Sequence, residues 1–231
     1  MNSIDKHLEK LQNIEKKNYH PLIHKIHKKY NISRKTLFYV KEYGQHAHVS
    51  KVILKESLKV LILASIVSSL GGIALESMKS IFASIIPLIV ILPVLNDMIG
   101  DYGTIMSSRF ATMLHQGKIH RHPLMNKEVK KLLLQIFVIS IITAFFSAVL
   151  ALFISYISSY SINLSLAYKI FFIAILDTLI LAFVLSLTAI FAGIYFYKKK
   201  EDPNNFLIPM TTSIADLGNI AIMSILITLF F

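Results

Sequence analysis

Long apolar runs alternate with short polar and basic segments along this chain of 231 residues. Five of the runs are long enough to cross a bilayer as helices, because about 20 residues span its hydrocarbon core. We expect these runs at the following positions: 57–78, 81–115, 132–158, 165–196 and 201–231. The pattern predicts an all-α integral membrane protein, in which a basic arm (1–55) precedes a domain of five transmembrane helices (56–231).

The arm is polar, with short stretches at helical spacing. In PLIHKIHKKY the apolar residues recur on one helical face among His and Lys. We therefore expect an amphipathic helix on the inner leaflet, and little hydrophobic core within the arm. His20, His24 and His27 have the spacing of a shared metal site, but a solvated basic helix explains them better.

Composition agrees with a membrane protein. Hydrophobic residues make up 55% of the chain and the mean hydropathy is +0.61, which is too apolar for an ordinary soluble domain. The chain has no cysteine, so neither disulfides nor thiolate metal sites contribute. The net charge of +11 is concentrated in the arm and in two short loops, which is typical of segments facing anionic lipids. We expect membrane lipids as partners and no nucleic acid.

The distribution of Lys and Arg predicts the topology. Three segments are basic, namely the arm, the loop over 115–131 and Lys198 to Lys200, whereas the turns over 77–80 and 157–164 are nearly free of basic residues. With five spans all three basic segments fall on one side, which is the cytoplasm by the positive-inside rule. We expect a cytoplasmic N-terminus, an external C-terminus and a location in the plasma membrane.

The second predicted span, over 81–115, is unusually long and polar. As one straight helix it would extend about 50 Å. Two prolines and two glycines interrupt it: Pro87, Pro93, Gly100 and Gly103. We therefore expect this span to be kinked or broken, an arrangement tolerated at membrane depth only against protein or a water-filled cavity.

Three acidic residues lie inside the second and fourth spans. Asp97 and Asp101 share a helical face and indicate a cation path, because an intramembrane charge is costly and commonly functional. The alternative is that the span has left the bilayer by Asp101, so that both acids lie in the interface. Asp177 in the fourth span is interpreted as a packed polar contact, with a supporting or coupling role as the alternative.

The last span begins at Asp202-Pro203, a cap residue followed by proline at the first helical position. Asp216 then lies near the membrane midplane, where a carboxylate costs about 2.5 kcal/mol or more, so we interpret it as functional rather than as a satisfied polar contact. The candidate metal ligands are all oxygen groups: Asp216, Asp101, Asp97, Asn219 and Thr212. Such a set suits Mg²⁺, Ca²⁺ or Mn²⁺ rather than Zn²⁺ or copper. A two-fold homodimer would place two copies of Asp216 near one ion.

Two segments carry a more specific pattern. The first runs from Pro93 to Gly117, with Gly100-Asp101 followed by IMSSRFATMLHQG, and the second contains Asp202-Pro203, Pro209, Thr211-Thr212 and Asp216. Together they resemble the membrane domain of the MgtE magnesium-channel family and of its eukaryotic relatives, solute carrier family 41. The resemblance covers roughly 57–231. It implies Mg²⁺ transport by a five-span unit in which Asp216 matches the pore carboxylate of the family.

The chain also departs from the family pattern. Gly100-Asp101 stands where the family has Gly-Asn, which adds a carboxylate. Family members carry a large cytoplasmic Mg²⁺-sensing domain, whereas an arm of about 55 residues stands here, so we expect no feedback gating by that route. The eukaryotic relatives join two five-span units in one chain, which implies that this unit pairs with itself or with a sister half-transporter.

The expected function is therefore transport of a divalent cation, Mg²⁺ above all, along a path lined by the second and fifth spans of a dimer. The alternative is an accessory or half-subunit of a hetero-oligomeric transporter without activity alone. An intramembrane aspartyl protease is a third reading, since Gly100-Asp101 is similar to part of its GxGD motif. Met98 occupies the first glycine position of that motif, so we expect no enzyme.

Overall fold

The computed structural model describes residues 3–12, 14, 19–43, 49–119, 123–199 and 201–231. Within these ranges the secondary structure is helical and no strand occurs. The α-helices in chain order are α1 Ser3–Gln12, α2 Tyr19–Tyr30, α3 Arg34–Tyr43, α4 Val49–Ser84, α5 Ile86–His115, α6 Lys127–Ile157, α7 Leu164–Lys198 and α8 Pro203–Phe230. A short 3₁₀ helix, Pro123–Met125, precedes α6.

Helices α4 to α8 are each long and apolar enough to cross a membrane. Their most apolar stretches have mean hydropathies between 1.4 and 2.7 with few charges, which is the composition of a transmembrane helix. The five-helix, all-α membrane fold expected from the sequence is confirmed.

Side-chain caps fix the starts of three spans. Asn126 accepts a hydrogen bond from the backbone N–H of Glu128 at the start of α6, and Asn163 accepts one from Leu166 at the start of α7. Asp202 accepts one from the N–H of Asn204 at 3.0 Å, with Pro203 as the first residue of α8. The helix start expected at Asp202-Pro203 is therefore confirmed.

Helix α8 is the centre of the bundle and packs against α4, α5 and α7, while α6 lies on the outer side of α5 and α7. Gly103 of α5 faces Thr211 of α8, and His115 at the end of α5 faces Asp202 at the start of α8. Helices α5 and α8 are therefore antiparallel, and Asp216 lies midway along α8.

The bounds of the first two spans differ from the expectation. Helix α4 continues through the expected turn at 77–80 and ends at Ser84, and Glu76 and Lys79 form an exposed ion pair on its surface. The helix break expected in the second span, over 81–115, lies near its start, because α4 ends at Ser84 and α5 begins at Ile86. Helix α5 is continuous from Ile86 to His115, with Pro93 inside it.

The two prolines of α5 have different positions. Pro87 lies in the first turn, where a helical N–H has no intrahelical acceptor, so it helps to start the helix. Pro93 lies inside the helix and is exposed on its surface. Gly100 and Gly103 are both helical and buried against the bundle, so they serve packing rather than a break.

The N-terminal arm forms three short helices with a core of their own, although we expected little core there. The core residues, all buried, are Leu11, Ile23, Ile26, Leu37 and Phe38. Each helix alone is too short to bury an apolar face, but α1, α2 and α3 bury theirs against one another. The membrane position expected for the arm stays a prediction.

The arm docks on one end of the transmembrane bundle. The ring of Phe38 lies 4.3 Å from the ring of His115, and His20 lies 5.1 Å from Tyr197 at the end of α7, measured between ring centroids. Nε2 of His115 lies 3.9 Å from Oδ1 of Asp202. The basic segments therefore meet at one end of the bundle, although the side of the membrane on which this end lies stays a prediction.

Candidate functional site

The carboxylate of Asp216 is the point at which three spans converge. Its Oδ1 accepts a hydrogen bond from Nδ2 of Asn96 on α5, and its Oδ2 accepts one from Oγ of Ser68 on α4, both at 2.8 Å. Both donors are neutral. Among the described residues no basic side chain forms an ion pair with Asp216. The carboxylate is thus held in place by hydrogen bonds from neutral groups, without a basic partner in the part of the chain that the structure describes.

Asp216 is half-buried and reaches a groove of about 360 Å³ between α4 and α8. The groove has room for several water molecules around an ion, since one water needs about 10–15 Å³ of such space. The groove is lined by Leu61, Ala64, Ser65, Ser68, Ile208, Pro209, Thr212, Ser213 and Asp216. A single carboxylate among hydroxyl groups makes this groove suited to a hydrated cation.

Two glycines allow the neighbouring helices to approach α8 on either side of Asp216. A Cβ atom on Gly71 of α4 would lie 3.1 Å from Cδ1 of Ile220 and 3.6 Å from the backbone oxygen of Asp216. A Cβ atom on Gly103 of α5 would lie 2.9 Å from Cβ of Thr211. Small residues at such contacts let membrane helices pack closely, which brings Ser68 and Asn96 to the carboxylate.

Thr212 and Asn219 lie on different sides of Asp216. Thr212 precedes it by about one turn and lines the groove, while its hydroxyl donates to the carbonyl of Ile208 or Pro209, both at 3.0 Å. Asn219 is fully buried behind the groove, between α5 and α7. Of the expected ligands, the structure thus brings Asp216 and Thr212 into one groove, with Asn219 behind them.

Asp97 and Asp101 lie elsewhere, on an exposed face of α5. In the part of the chain that the structure describes, neither forms a hydrogen bond or an ion pair with Asp216. Both are within the central part of a helix long enough to span the membrane. The candidate ligands therefore form two separate groups within one chain. Asp216, Thr212 and Asn219 lie in or behind the groove beside α8, and Asp97 and Asp101 lie on the exposed face of α5.

Ser68, Asn96 and Asp177 belong to the site and were not among the candidate ligands. Asp177 of α7 is fully buried, and its Oδ2 lies 2.8 Å from the side-chain amide of Asn219. Asp177 thus makes a packed polar contact with Asn219, and a supporting or coupling role for it stays a prediction. In the sequence, Asn96 stands next to Asp97 and Ser68 stands three residues before Gly71. Neither neighbour indicates that Asn96 and Ser68 donate to Asp216.

The comparison with protein families identifies the class of protein to which this chain belongs. The family model MgtE, described as a divalent cation transporter, matches residues 92–226. The match covers more than half of the chain and includes Asp97, Asp101 and Asp216. This chain belongs to the MgtE family of divalent cation transporters. No curated protein and no solved structure matches it.

Membership in the MgtE family agrees with the five apolar helices and identifies an integral membrane protein of a transporter family rather than of an enzyme family. The matched region begins within α5 and ends within α8, so Asn96, Asp177 and Asp216 lie inside it. Ser68 on α4 lies outside the matched region, although it donates to the same carboxylate.

Proposed function

We propose that this protein transports Mg²⁺ across the membrane, along a path lined by α5 and α8 of a two-fold dimer. In the single chain the groove beside Asp216 is lined by α4 and α8, and α5 reaches the carboxylate through Asn96. The observation that carries the proposal is the carboxylate of Asp216, which lies midway along a membrane-spanning helix and faces an open groove. Its hydrogen-bond partners among the described residues, Ser68 and Asn96, are neutral. An uncompensated charge at this depth costs about 2.5–3.5 kcal/mol unless a counter-ion offsets it. A passing cation supplies that counter-charge.

The ligand chemistry favours Mg²⁺. The groove offers carboxylate and hydroxyl oxygens from Asp216, Thr212 and Ser68, and oxygen ligands suit Mg²⁺, Ca²⁺ and Mn²⁺. Mg²⁺ gives up its water reluctantly and is commonly bound through one or two carboxylates while keeping several waters. One carboxylate per chain in a groove with room for water matches that preference better than the six to eight oxygens that Ca²⁺ takes.

The acidic face of α5 supports a dimer. Asp97 and Asp101 are exposed in the single chain, although they lie within a membrane-spanning helix, and carboxylates at that depth face protein or water rather than lipid. A second copy packed around a two-fold axis would cover this face and line a water-filled path with both pairs of acids. A sister half-transporter is the alternative partner.

The proposed topology has the arm in the cytoplasm and the C-terminus outside, in the plasma membrane. It is supported by the docking of the basic arm at the end of the bundle where α5 ends and α8 begins. Clustered Lys and Arg mark the cytoplasmic side of a membrane protein. Mg²⁺ would then pass Asp216 about halfway between the two surfaces.

Uptake into proteoliposomes tests the proposal. The purified chain is reconstituted alone with a Mg²⁺-sensitive dye inside the vesicles, and Mg²⁺ is added outside. We expect dye signal that saturates with Mg²⁺ concentration and is absent from protein-free vesicles. Folded, correctly inserted protein that gives no flux would contradict the proposal and favour the accessory subunit.

A further inference from the structure

An apolar groove and a polar pocket meet at Arg109, on the outer surface between α5 and α6. The apolar groove has a volume of about 420 Å³ and the polar pocket about 350 Å³, and Arg109 lines both. Apart from Arg109 and Gln135, the residues of the apolar groove are Ile105, Leu132, Leu134, Ile136, Val138 and Ile139. The polar pocket lies toward the end of α5, and its polar residues besides Arg109 are Ser108, Thr112, Gln116, Lys118 and Glu128. This surface is therefore amphipathic, with a cation where its two parts join.

Arg109 lies within a membrane-spanning helix without an acidic partner. Its side chain is exposed, and among the described residues it forms no hydrogen bond and no ion pair. It precedes His115, the last residue of α5, by about 9 Å along the helix axis. A charge inside a span is costly unless it is paired or reaches the interface, and arginine commonly lays its stem on apolar surface while its guanidinium extends to a polar one. The guanidinium is thus available to an anion near the end of the span.

The turn after α5 holds a second cation at the polar pocket. Gly117 adopts a left-handed conformation with φ +68°, and the N–H of Lys118 donates back to the carbonyl oxygen of Met113 at 3.0 Å. The carbonyl oxygen of Lys118 accepts from Nδ2 of Asn126 at 2.7 Å, and Asn126 also caps α6. The backbone of Lys118 is therefore fixed between the end of α5 and the start of α6.

The charges of the polar pocket favour a phosphate diester. Arg109 and Lys118 face one acid, Glu128, so the pocket has an excess of one positive charge. A phosphate diester neutralises this excess, and a guanidinium binds phosphate oxygens through two parallel N–H donors. A zwitterionic headgroup brings as much positive as negative charge and would leave the excess in place. The apolar groove beside Arg109 has no use for a free phosphate, but it suits an acyl chain.

We propose that the apolar groove and the polar pocket together bind one anionic phospholipid, with its phosphate on Arg109 and Lys118 and an acyl chain between α5 and α6. The phospholipid is held by contacts that an unspecific lipid shell lacks, because the cations select its headgroup. This site is separate from the groove of Asp216, so its test requires no Mg²⁺ flux.

Quenching of a single tryptophan by brominated phospholipids tests the proposal, because the chain has no tryptophan of its own. Leu134→Trp places the reporter in the apolar groove, and Leu150→Trp, at an exposed position of the same helix outside the groove, is the matched control. Each full-length protein is reconstituted in mixtures of phosphatidylglycerol and phosphatidylcholine, one of them brominated. At Leu134→Trp we expect phosphatidylglycerol to bind about tenfold more tightly than phosphatidylcholine, the size of one hydrogen bond to a charged group. At Leu150→Trp both lipids should quench equally.

Substitutions in the polar pocket, made in the Leu134→Trp protein, test the role of each charge. Arg109→Gln removes the guanidinium and should lower the preference for phosphatidylglycerol about tenfold. Arg109→Lys keeps the charge without the paired donors, so it should lower the preference only about threefold. Lys118→Gln should lower the preference as well, which preserves the test if Arg109→Gln does not fold. Glu128→Gln removes the acid and should raise the preference.

Three results would overturn the proposal. An unchanged lipid preference in both Arg109→Gln and Lys118→Gln would show that these cations do not bind the headgroup. Weaker quenching of Leu134→Trp than of Leu150→Trp by both lipids would show that a second copy of the chain covers the groove. Displacement of brominated phosphatidylglycerol from Leu134→Trp by excess inorganic phosphate, at equal ionic strength, would assign the polar pocket to free phosphate instead.

Discussion

The close contact between α5 and α8 at Gly103 should control the stability of the bundle. Gly103 is the residue at this contact, and a Cβ atom there would lie 2.9 Å from Cβ and 3.1 Å from Oγ1 of Thr211, and 3.3 Å from Cδ1 of Leu185. Carbon atoms prefer separations of about 3.5–4.0 Å, so Gly103→Ala requires the helices to separate by about half an ångström or more. Cβ of Thr211 is attached to the backbone and cannot move aside by a rotamer change.

The expected magnitude follows from two opposing terms. Overpacking of this kind costs about 1–3 kcal/mol, while alanine favours a helix over glycine by about 1 kcal/mol. Gly103→Ala should therefore destabilise the protein by about 0–2 kcal/mol. Gly72→Ala is the matched control, because a Cβ atom on Gly72 meets nothing within 4 Å. Gly72→Ala gains the helix preference of alanine without an overpacking cost. The free energies of unfolding of the two variants should therefore differ by about 1–3 kcal/mol.

The assay is unfolding of each variant in detergent, followed by circular dichroism as the denaturant concentration or the temperature rises. Gly103→Ala should unfold before Gly72→Ala, and it should also transport more slowly because Asn96 meets Asp216 at the same interface between α5 and α8. Equal stability of the two alanine variants would refute the view that close packing of α5 on α8 builds the site.

Three further predictions concern docking, assembly and topology. Burial raises the pKa of Tyr39, and the charge of nearby Asp202 raises it further, so the docked arm favours neutral Tyr39. The stability that neutral Tyr39 gives to the docked arm is present below about pH 10 and is lost as the pH rises through the raised pKa. Proteolysis of the arm should therefore accelerate above pH 10 in the wild type and less in Tyr39→Phe, and equal acceleration would contradict this. The chain has no cysteine, so Val94→Cys on the exposed face of α5 should form disulfide-linked dimers, and persistent monomers under oxidation would argue against a dimer along this face. A cysteine in place of Phe231 should react with an impermeant thiol reagent in intact cells, whereas reaction only after permeabilisation would reverse the topology.

Much of the fold follows from local features of the sequence. Apolar length predicts the five spans, and Asp202-Pro203 predicts the start of α8, because a cap residue and a proline act within one turn. Whether a side chain is buried inside the bundle, in contrast, cannot be read from the neighbouring residues in the sequence. Asp216 and Asn219 lie three residues apart, yet one reaches a groove and the other is fully buried between helices.

The remaining features depend on contacts between distant segments. Ser68 and Asn96 are 148 and 120 residues from Asp216 in the chain, so no spacing rule pairs them with it. Pro93 and Gly103 read locally as helix breakers, but the packing of α5 in the bundle retains a continuous helix. The short helices of the arm likewise gain a core only from one another.

The central claim is that Asp216 binds the transported ion, and Mg²⁺ flux through Asp216→Asn tests it most directly. The substitution keeps the size of the side chain and removes its charge, so the bundle should fold while the groove loses its attraction for a divalent cation. We predict flux at the level of protein-free vesicles for Asp216→Asn and wild-type flux for Ser186→Ala in the same preparation. Wild-type flux through Asp216→Asn would contradict the account and direct attention to Asp97 and Asp101.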